Sequence, residues 1–296
     1  MKRYLGTMLL LIVAIIWGTG FVASALALDN YTPFQILALR FSLAFVILLG
    51  MNLNKLSQLT WQKMRKGGWM GVTLFLAFAF QTIGLQYTTT SKSAFLTATN
   101  IVIIPFLTWF VLKRPLSWNA IIGASITLGG IGLLSLDGAV SGLNFGDVLT
   151  LICAVLFALQ IFLTEYYAEE LATWEIMLLQ MGTAALLSWA MVLFEGEAQL
   201  NLSISAISPI MYLGFFSTLV AFGLQTYAQK FTTSNQASVI LSTEAFFGMV
   251  AAVIILKEAL TINLLIGAAL IFCGILMVEL NPSKLFNNMK KLEKEL

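Results

Sequence analysis

The sequence predicts an all-α integral membrane protein with ten transmembrane helices, arranged as an inverted repeat of five helices plus five. Three observations predict this fold: the composition, a series of ten apolar runs, and two halves of the chain that match each other. The 296-residue chain is 59% hydrophobic and only 10% charged, with a mean hydropathy of +0.91. A water-soluble domain of this size could not bury so much apolar surface.

Ten apolar runs follow one another along the chain. Each is about 20 residues long, which at about 1.5 Å per residue crosses a hydrocarbon core of about 30 Å. The runs cover residues 5–28, 33–52, 68–87, 93–112, 118–136, 148–167, 173–194, 207–228, 233–256 and 262–280. Most connectors are shorter than about 15 residues, so we expect no separate soluble domain. Lys2 and Arg3 before the first run also fit a secretory signal peptide, but this run is too long for a signal core and nine more follow.

The positions of lysine and arginine predict the orientation, because these residues favour cytoplasmic loops. With the amino terminus in the cytoplasm, only Lys92 and Lys257 fall on the outer side. The cytoplasmic side then collects Lys2, Arg3, Lys55, Lys63, Arg65, Lys66, Lys113, Arg114, Lys230, Lys284, Lys290, Lys291 and Lys294. We therefore expect a multi-pass protein of the plasma membrane with both termini in the cytoplasm.

The inventory of reactive residues argues against an enzyme. The chain has no histidine, which excludes histidine metal sites, serine–histidine catalysis and histidine proton relays. Cys153 and Cys273 lie inside apolar runs, where we expect buried apolar residues and neither a disulfide nor a metal pair. No ATP-binding motif is present. We expect no metal, no cofactor and no nucleic-acid partner.

The two halves of the chain repeat one pattern at the same spacing. In each half a charged turn leads through a hydroxyl residue into a glycine-bearing apolar run. The matched pairs are Lys113 and Lys257, Ser117 and Thr261, Gly123 and Gly267, and Gly130 and Gly274. An odd number of spans per repeat makes the second copy enter the membrane from the opposite side. We predict a first repeat over residues 1–140, a second, inverted repeat over residues 141–281, and a cytoplasmic tail over residues 282–296.

A combination of weak motifs extends over the whole chain. Trp17 and Gly18 form a pair in the first run, Pro33 and Arg40 lie in the second, and charged turns precede the fifth and tenth runs. This pattern resembles the EamA-like branch of the drug/metabolite transporter superfamily. The resemblance implies a ten-helix inverted-repeat carrier that moves small metabolites or drugs by alternating access. Export is the direction it favours, and import of a nutrient by the same fold is the alternative.

The chain departs from that family at one turn. The family usually has an acidic residue in the turn before the fifth span, where this sequence has Arg114 and Pro115. The second repeat keeps an acid, Glu258. If this acid closes a gate, we expect the two gates to differ.

Glu244 is the leading candidate for function, because the ninth run has no other charge near it. An ionised side chain at the bilayer centre costs about 2.5–3.5 kcal/mol on insertion scales. Three interpretations are open: a structural acid bonded to neighbouring helices, a site for a coupling ion such as a proton, and a direct ligand of the substrate. Asn100 is its counterpart when the two charged turns are aligned without gaps, and Thr243 is a further candidate beside it.

Arg40 and Trp17 are candidates in the first two runs. Arg40 lies roughly 10 Å below the outer surface at helical rise. Snorkelling, an acidic partner and attraction of an anionic substrate group all fit it. Trp17 fits either helix packing or an aromatic wall of the cavity, where it would also attract a cation. Phe157 and Gln160 offer the corresponding surface from the second repeat.

The remaining candidates are uncharged. Gln81 and Gln180 are candidates for the cavity, although amides in helices also bridge neighbouring helices. Gly18, Gly20 and Pro105 are candidates for gating, because glycine permits bending and proline kinks a helix, and static packing fits them too. A channel or a lipid-handling scaffold is the alternative from another class. The oligomeric state is open, with a homodimer as one option.

Overall fold

A computed structural model describes residues 2–113, 117–135, 143–167, 170–196, 199–228 and 240–279. Within these ranges the regular elements are helices, and no β-strand is present. The predicted tail over residues 282–296 and the pair Arg114 and Pro115 lie outside the described residues.

Twelve α-helices account for most of the described chain. They are α1 (Lys2–Leu28), α2 (Pro33–Asn52), α3 (Trp61–Leu85), α4 (Thr90–Ala98), α5 (Asn100–Leu112), α6 (Trp118–Ser135), α7 (Phe145–Tyr167), α8 (Thr173–Glu195), α9 (Ile204–Met211), α10 (Ala221–Ala228), α11 (Glu244–Ala251) and α12 (Ile262–Glu279). A 3-10 helix covers Leu53–Gln58, and π-helical segments cover Tyr212–Val220 and Ala252–Leu256.

Seven helical stretches in these ranges are long and apolar enough to cross a membrane. Three shorter apolar helices accompany them, at Trp118–Leu133, Glu244–Leu256 and Ile262–Met277. The predicted class, an all-helical membrane protein, is confirmed. The count of ten spans stays a prediction.

Some helices begin before the apolar run that predicted them. α3 starts ahead of residue 68 because Thr60 caps it, its side chain accepting a hydrogen bond from the backbone amide of Lys63 at 3.4 Å. Thr89 caps α4 in the same way. Hydropathy missed these first turns because they are polar.

Tight turns occur within two of the predicted spans. One is at Thr99, between α4 and α5, and the other includes Thr243, before α11; both threonines keep right-handed helical backbone angles, with φ of −64° and −66°. Each of these threonine hydroxyls donates to the backbone carbonyl three residues earlier, at 2.6 Å in both cases. Asn100 and Glu244 are therefore the first residues after the two turns.

The centre of the bundle is aromatic. α2 packs against α8, α3 packs against α7 and α8, and α1 packs against α10 and α11. Phe78 of α3 has its ring centroid 5.5 Å from that of Phe41 on α2 and 5.0 Å from that of Phe157 on α7. Helices from both halves of the chain thus meet around one aromatic core.

Glycines bring α6 and α12 into close contact. A Cβ added to Gly130 would lie 2.8 Å from the carbonyl oxygen of Gly267, and one added to Gly274 would lie 2.6 Å from the carbonyl oxygen of Gly123. Such an approach is possible only without side chains at these positions. The contact is reciprocal, because each half contributes one close glycine and one carbonyl.

The turn before α12 holds the amino terminus of α4. Glu258 accepts hydrogen bonds from the backbone amides of Thr90 at 2.7 Å and Ser91 at 3.1 Å, and from the Ser91 hydroxyl at 2.6 Å. A carboxylate here also interacts favourably with the positive end of the helix dipole. At the same end of the bundle, Thr88 donates to Asp147 at 2.6 Å. These contacts join turns from both halves.

Candidate functional site

A cavity lies in the middle of the bundle, among helices of both halves. The space between its walls, including its opening to solvent, is about 590 Å³. The predicted residues that line it are Trp17, Gly20, Arg40, Gln81, Asn100, Phe157, Gln160 and Glu244. Most of the candidates drawn from separate apolar runs therefore come together in one place.

Arg40 is buried in the cavity wall, with 1% of its surface exposed. Its Nε donates to the Thr218 hydroxyl at 2.9 Å, and one terminal nitrogen donates to the Ser217 hydroxyl at 3.4 Å. The guanidinium carbon lies 4.2 Å from the centre of the Phe78 ring, a cation–π contact. Among the described residues no carboxylate pairs with this arginine. Its partners stabilise the cation without neutralising it.

Glu244 lines the same cavity at the start of α11, with 8% of its surface exposed. Within the described ranges its carboxylate accepts no hydrogen bond and forms no ion pair. The helix that Glu244 begins, α11, packs closely against α1. A Cβ on Gly18 would lie 2.7 Å from the backbone oxygen of Glu244 and 2.8 Å from the backbone nitrogen of Gly248. Close packing therefore fixes the backbone while the carboxylate stays unpartnered.

Asn100 is the first residue of α5, as Glu244 is of α11. It is buried, with 7% exposed, and it also lines the cavity. Its Oδ1 has no hydrogen-bond donor in the described part of the chain. A neutral amide and an acid thus follow the two tight turns and line one cavity.

Two glutamines in the cavity wall are bonded to protein groups. Gln81 Nε2 donates to the Thr97 hydroxyl at 3.2 Å. Gln160 Nε2 donates to Gln180 Oε1 at 3.0 Å and to the Thr164 hydroxyl at 3.0 Å. These bonds orient the amides and leave their carbonyl ends as possible acceptors.

The apolar part of the wall is formed by aromatic rings from several helices. Trp17 lies 5.1 Å from Phe222, centroid to centroid, and its Nε1 donates to the backbone oxygen of Ser217 at 2.9 Å. Phe78 and Phe157 also line the cavity. The wall therefore combines flat apolar surfaces with a few fixed polar groups.

Four of the predicted residues are not part of the cavity wall. Gln180 lies behind Gln160 as its hydrogen-bond partner. Thr243 bonds back to its own helix, and Gly18 packs against α11. Pro105 lies inside α5, and α1 continues through Gly18 and Gly20 without a break.

Sequence reasoning missed several residues that build the site. Ser217 and Thr218 hold Arg40, and Phe78 and Phe222 complete the aromatic wall. The adjacent hydroxyls of Ser217 and Thr218 in an apolar run are the one local signal. Nothing local marks a phenylalanine as a cavity residue, because apolar runs contain many of them.

Comparison with known proteins adds the family. The model of the EamA-like transporter family matches this chain twice, over residues 4–136 and 144–280. The chain belongs to the EamA-like transporter family. It is 32% identical over 284 residues to an uncharacterized transporter of Archaeoglobus fulgidus, covering 94% of this chain and 87% of the relative. It is 23% identical to the uncharacterized transporter YoaV of Bacillus subtilis, covering 90% and 93%.

A solved crystal structure supports the fold. It aligns with this EamA-like protein at a TM-score of 0.69 and 18% identity, over 92% of this chain and 95% of the other. The family and the relatives identify a membrane transporter, which agrees with the bundle of apolar helices.

Proposed function

We propose that this protein is a secondary carrier of the plasma membrane that exports a small metabolite or drug by alternating access. The cavity carries the proposal, because it lies among membrane helices and holds two charged residues, Arg40 and Glu244, that no described group neutralises. Charged side chains inside a membrane bundle mark substrate or ion pathways. Since the sequence has no ATP-binding motif, the energy comes from a gradient.

The proposed architecture is a ten-span inverted repeat, divided at residues 140 and 141. The double family match supports it, as do the seven long and three shorter apolar helices. The turns that precede α6 and α12, the last helix of each half, also have similar backbone conformations. Lys113 and Lys257 both have left-handed backbones, with φ of 55° and 60°. Ser117 and Thr261 each accept a hydrogen bond from the third amide of the following helix, at 3.2 Å and 3.1 Å.

The positions of Asn100 and Glu244 support a binding site between the two repeats. Each is the first residue after a tight helical turn, at Thr99 and at Thr243, and both line the cavity. The substrate and ion sites of many secondary carriers lie near the membrane midplane, at the interface between two repeats.

Alternating access requires contacts that close one end of the cavity at a time. With both termini in the cytoplasm, the contact of Glu258 with the amino terminus of α4 lies at the outer end. We infer that the outer gate opens when this contact breaks. Arg114 occupies the corresponding position of the first repeat by spacing, so the inner gate would use different chemistry.

A panel of substrates in proteoliposomes tests the proposed function. Purified protein is loaded with unlabelled amino acid, nucleoside, sugar or cationic drug, and uptake of the same labelled compound is followed. A carrier gives saturable counterflow for at least one class, whereas a channel or a lipid scaffold gives none. Expression in cells then gives the direction, because an exporter lowers accumulation of the exchanged compound and an importer raises it.

Glu244→Gln tests proton coupling at the cavity. If Glu244 carries the coupling proton, the variant should keep counterflow but lose accumulation driven by a pH gradient, because glutamine cannot bind and release a proton. Glu170→Gln is the matched control, since it removes an exposed carboxylate that pairs with Lys66. Equal pH-driven accumulation in Glu244→Gln and wild type would refute coupling at this residue.

A further inference from the structure

The first turns of α3 have two chemically different faces. Trp61, Arg65 and Trp69 are spaced by four residues, so they lie along one face of the helix. All three are exposed, the two tryptophans to 75% and 60%. The opposite face packs against α8, where a Cβ added to Gly67 would lie 2.4 Å from the Cβ of Leu179. α3 therefore presents an arginine between two tryptophans on the outside of the bundle.

The connector before α3 extends this exposed surface. Its 3-10 helix contains Leu53, which is 58% exposed, and Lys55, which is also exposed. The Nζ of Lys55 lies 5.8 Å from the centre of the Trp174 ring at the start of α8. Apolar and basic side chains thus occur together at this end of the bundle. We call this surface the basic rim, formed by Leu53, Lys55, Trp61, Arg65 and Trp69.

The basic residues of this region fall into two groups. The Nζ of Lys63 lies 2.6 Å from Glu175 Oε1, and Lys66 pairs with Glu170, so these two lysines are neutralised. Arg65 forms no ion pair and no hydrogen bond within the described ranges, and Lys55 forms no ion pair there. The basic rim therefore carries two positive charges without a described counter-charge.

An anionic phospholipid complements both the charge and the apolar surface of the basic rim. Tryptophan is enriched where the hydrocarbon core meets the headgroups, so Trp61 and Trp69 place Arg65 at that depth. A guanidinium binds phosphate oxygens through paired hydrogen bonds. With the amino terminus in the cytoplasm, this end of α3 faces the cytoplasmic leaflet, whose anionic lipids attract basic residues beside membrane spans.

We propose that the basic rim binds anionic phospholipids of the cytoplasmic leaflet. Arg65 is the main contact for the headgroup phosphate, Lys55 adds a second positive charge, and acyl chains lie against Leu53 and the two indole rings. The basic rim is not part of the cavity wall. The inference therefore goes beyond the proposed carrier function and does not depend on it.

A lipid titration of the purified protein tests this surface. The melting temperature in detergent is followed while dioleoylphosphatidylglycerol or dioleoylphosphatidylcholine is added, because a bound ligand stabilises the folded state. The anionic lipid should reach half-maximal stabilisation at a concentration about 25-fold lower, since each of the two cations contributes about 5-fold. Salt at about 1 M should remove most of this difference. Equal half-maximal concentrations of the two lipids at low salt would overturn the proposal.

Substitutions assign the preference to the basic rim. Arg65→Gln should raise the half-maximal concentration of phosphatidylglycerol about 5-fold, and Arg65→Gln with Lys55→Gln about 25-fold. Arg65→Lys keeps the charge and should retain most of the preference. Lys257→Gln is the matched control, because it removes an exposed lysine at the opposite end of the bundle and should change nothing. An unchanged response of the double variant would contradict the assignment. If the double variant does not melt cooperatively, Arg65→Gln and the two lipids decide.

Inorganic phosphate separates a lipid site from a simple anion site. It offers similar oxygens without acyl chains, so it should not stabilise the protein at concentrations where phosphatidylglycerol saturates. Equal stabilisation by inorganic phosphate would show that the basic rim binds anions without lipid, and the proposal would be wrong.

Discussion

Replacing Gly274 with alanine should lower the melting temperature of the detergent-solubilised protein, at a cost of about 1–3 kcal/mol, as expected for overpacking of a close contact. The added Cβ would lie 2.6 Å from the carbonyl oxygen of Gly123 and 2.9 Å from the backbone nitrogen of Thr127. Backbone atoms cannot rotate away as a side chain can, so α6 and α12 must move apart. A thermal melt followed by intrinsic fluorescence measures the effect.

Gly129→Ala is the matched control on the facing helix. Apart from its own helix, no described atom lies within 4 Å of a Cβ built there, so alanine should be neutral or stabilising by about 0.5–1 kcal/mol through its higher helix propensity. Gly130→Ala, which would approach the oxygen of Gly267 to 2.8 Å, should cost about as much as Gly274→Ala. The double variant should cost less than the sum, because both changes separate the same helices. Equal melting temperatures for Gly274→Ala and Gly129→Ala would contradict the close packing.

The glycine pairs also illustrate what the sequence could predict. The spacing between Lys113 and Gly130 recurs between Lys257 and Gly274, and the same alignment pairs Asn100 with Glu244. In the structure Asn100 and Glu244 both follow a tight helical turn and line one cavity. A register repeated along the chain is local information, so it can be read before any fold is known.

Contacts between residues that are far apart in the chain could not be predicted, because they form only when the helices pack. The two tight turns occur at threonines, without a glycine or proline to mark them, and Pro105 lies inside α5. The partners of Arg40 are Ser217 and Thr218, which are far from it in sequence. They come within reach only when α2 packs against the π-helical segment Tyr212–Val220. A hydropathy pattern shows that a charge is buried but not which group will face it.

Glu244→Leu should leave the melting temperature unchanged or raise it, while counterflow falls to the level of protein-free liposomes. The carboxylate of Glu244 receives no hydrogen bond from the described residues, and only 8% of the residue is exposed. Leucine has a similar size, breaks no described hydrogen bond and avoids the cost of holding a carboxylate in a largely buried position. If Glu244 is present for function, its removal should not lower the melting temperature, but it should abolish counterflow.

Glu258→Leu provides the contrast, because this glutamate accepts three hydrogen bonds at the amino terminus of α4. Its loss removes a helix cap, so the melting temperature should fall by the equivalent of about 0.5–2 kcal/mol. The two substitutions are chemically identical, and their opposite signs would separate an acid kept for function from an acid kept for structure. If Glu244→Leu instead destabilises the protein as much as Glu258→Leu and counterflow persists, Glu244 is a packing residue and the carrier must bind its substrate without it.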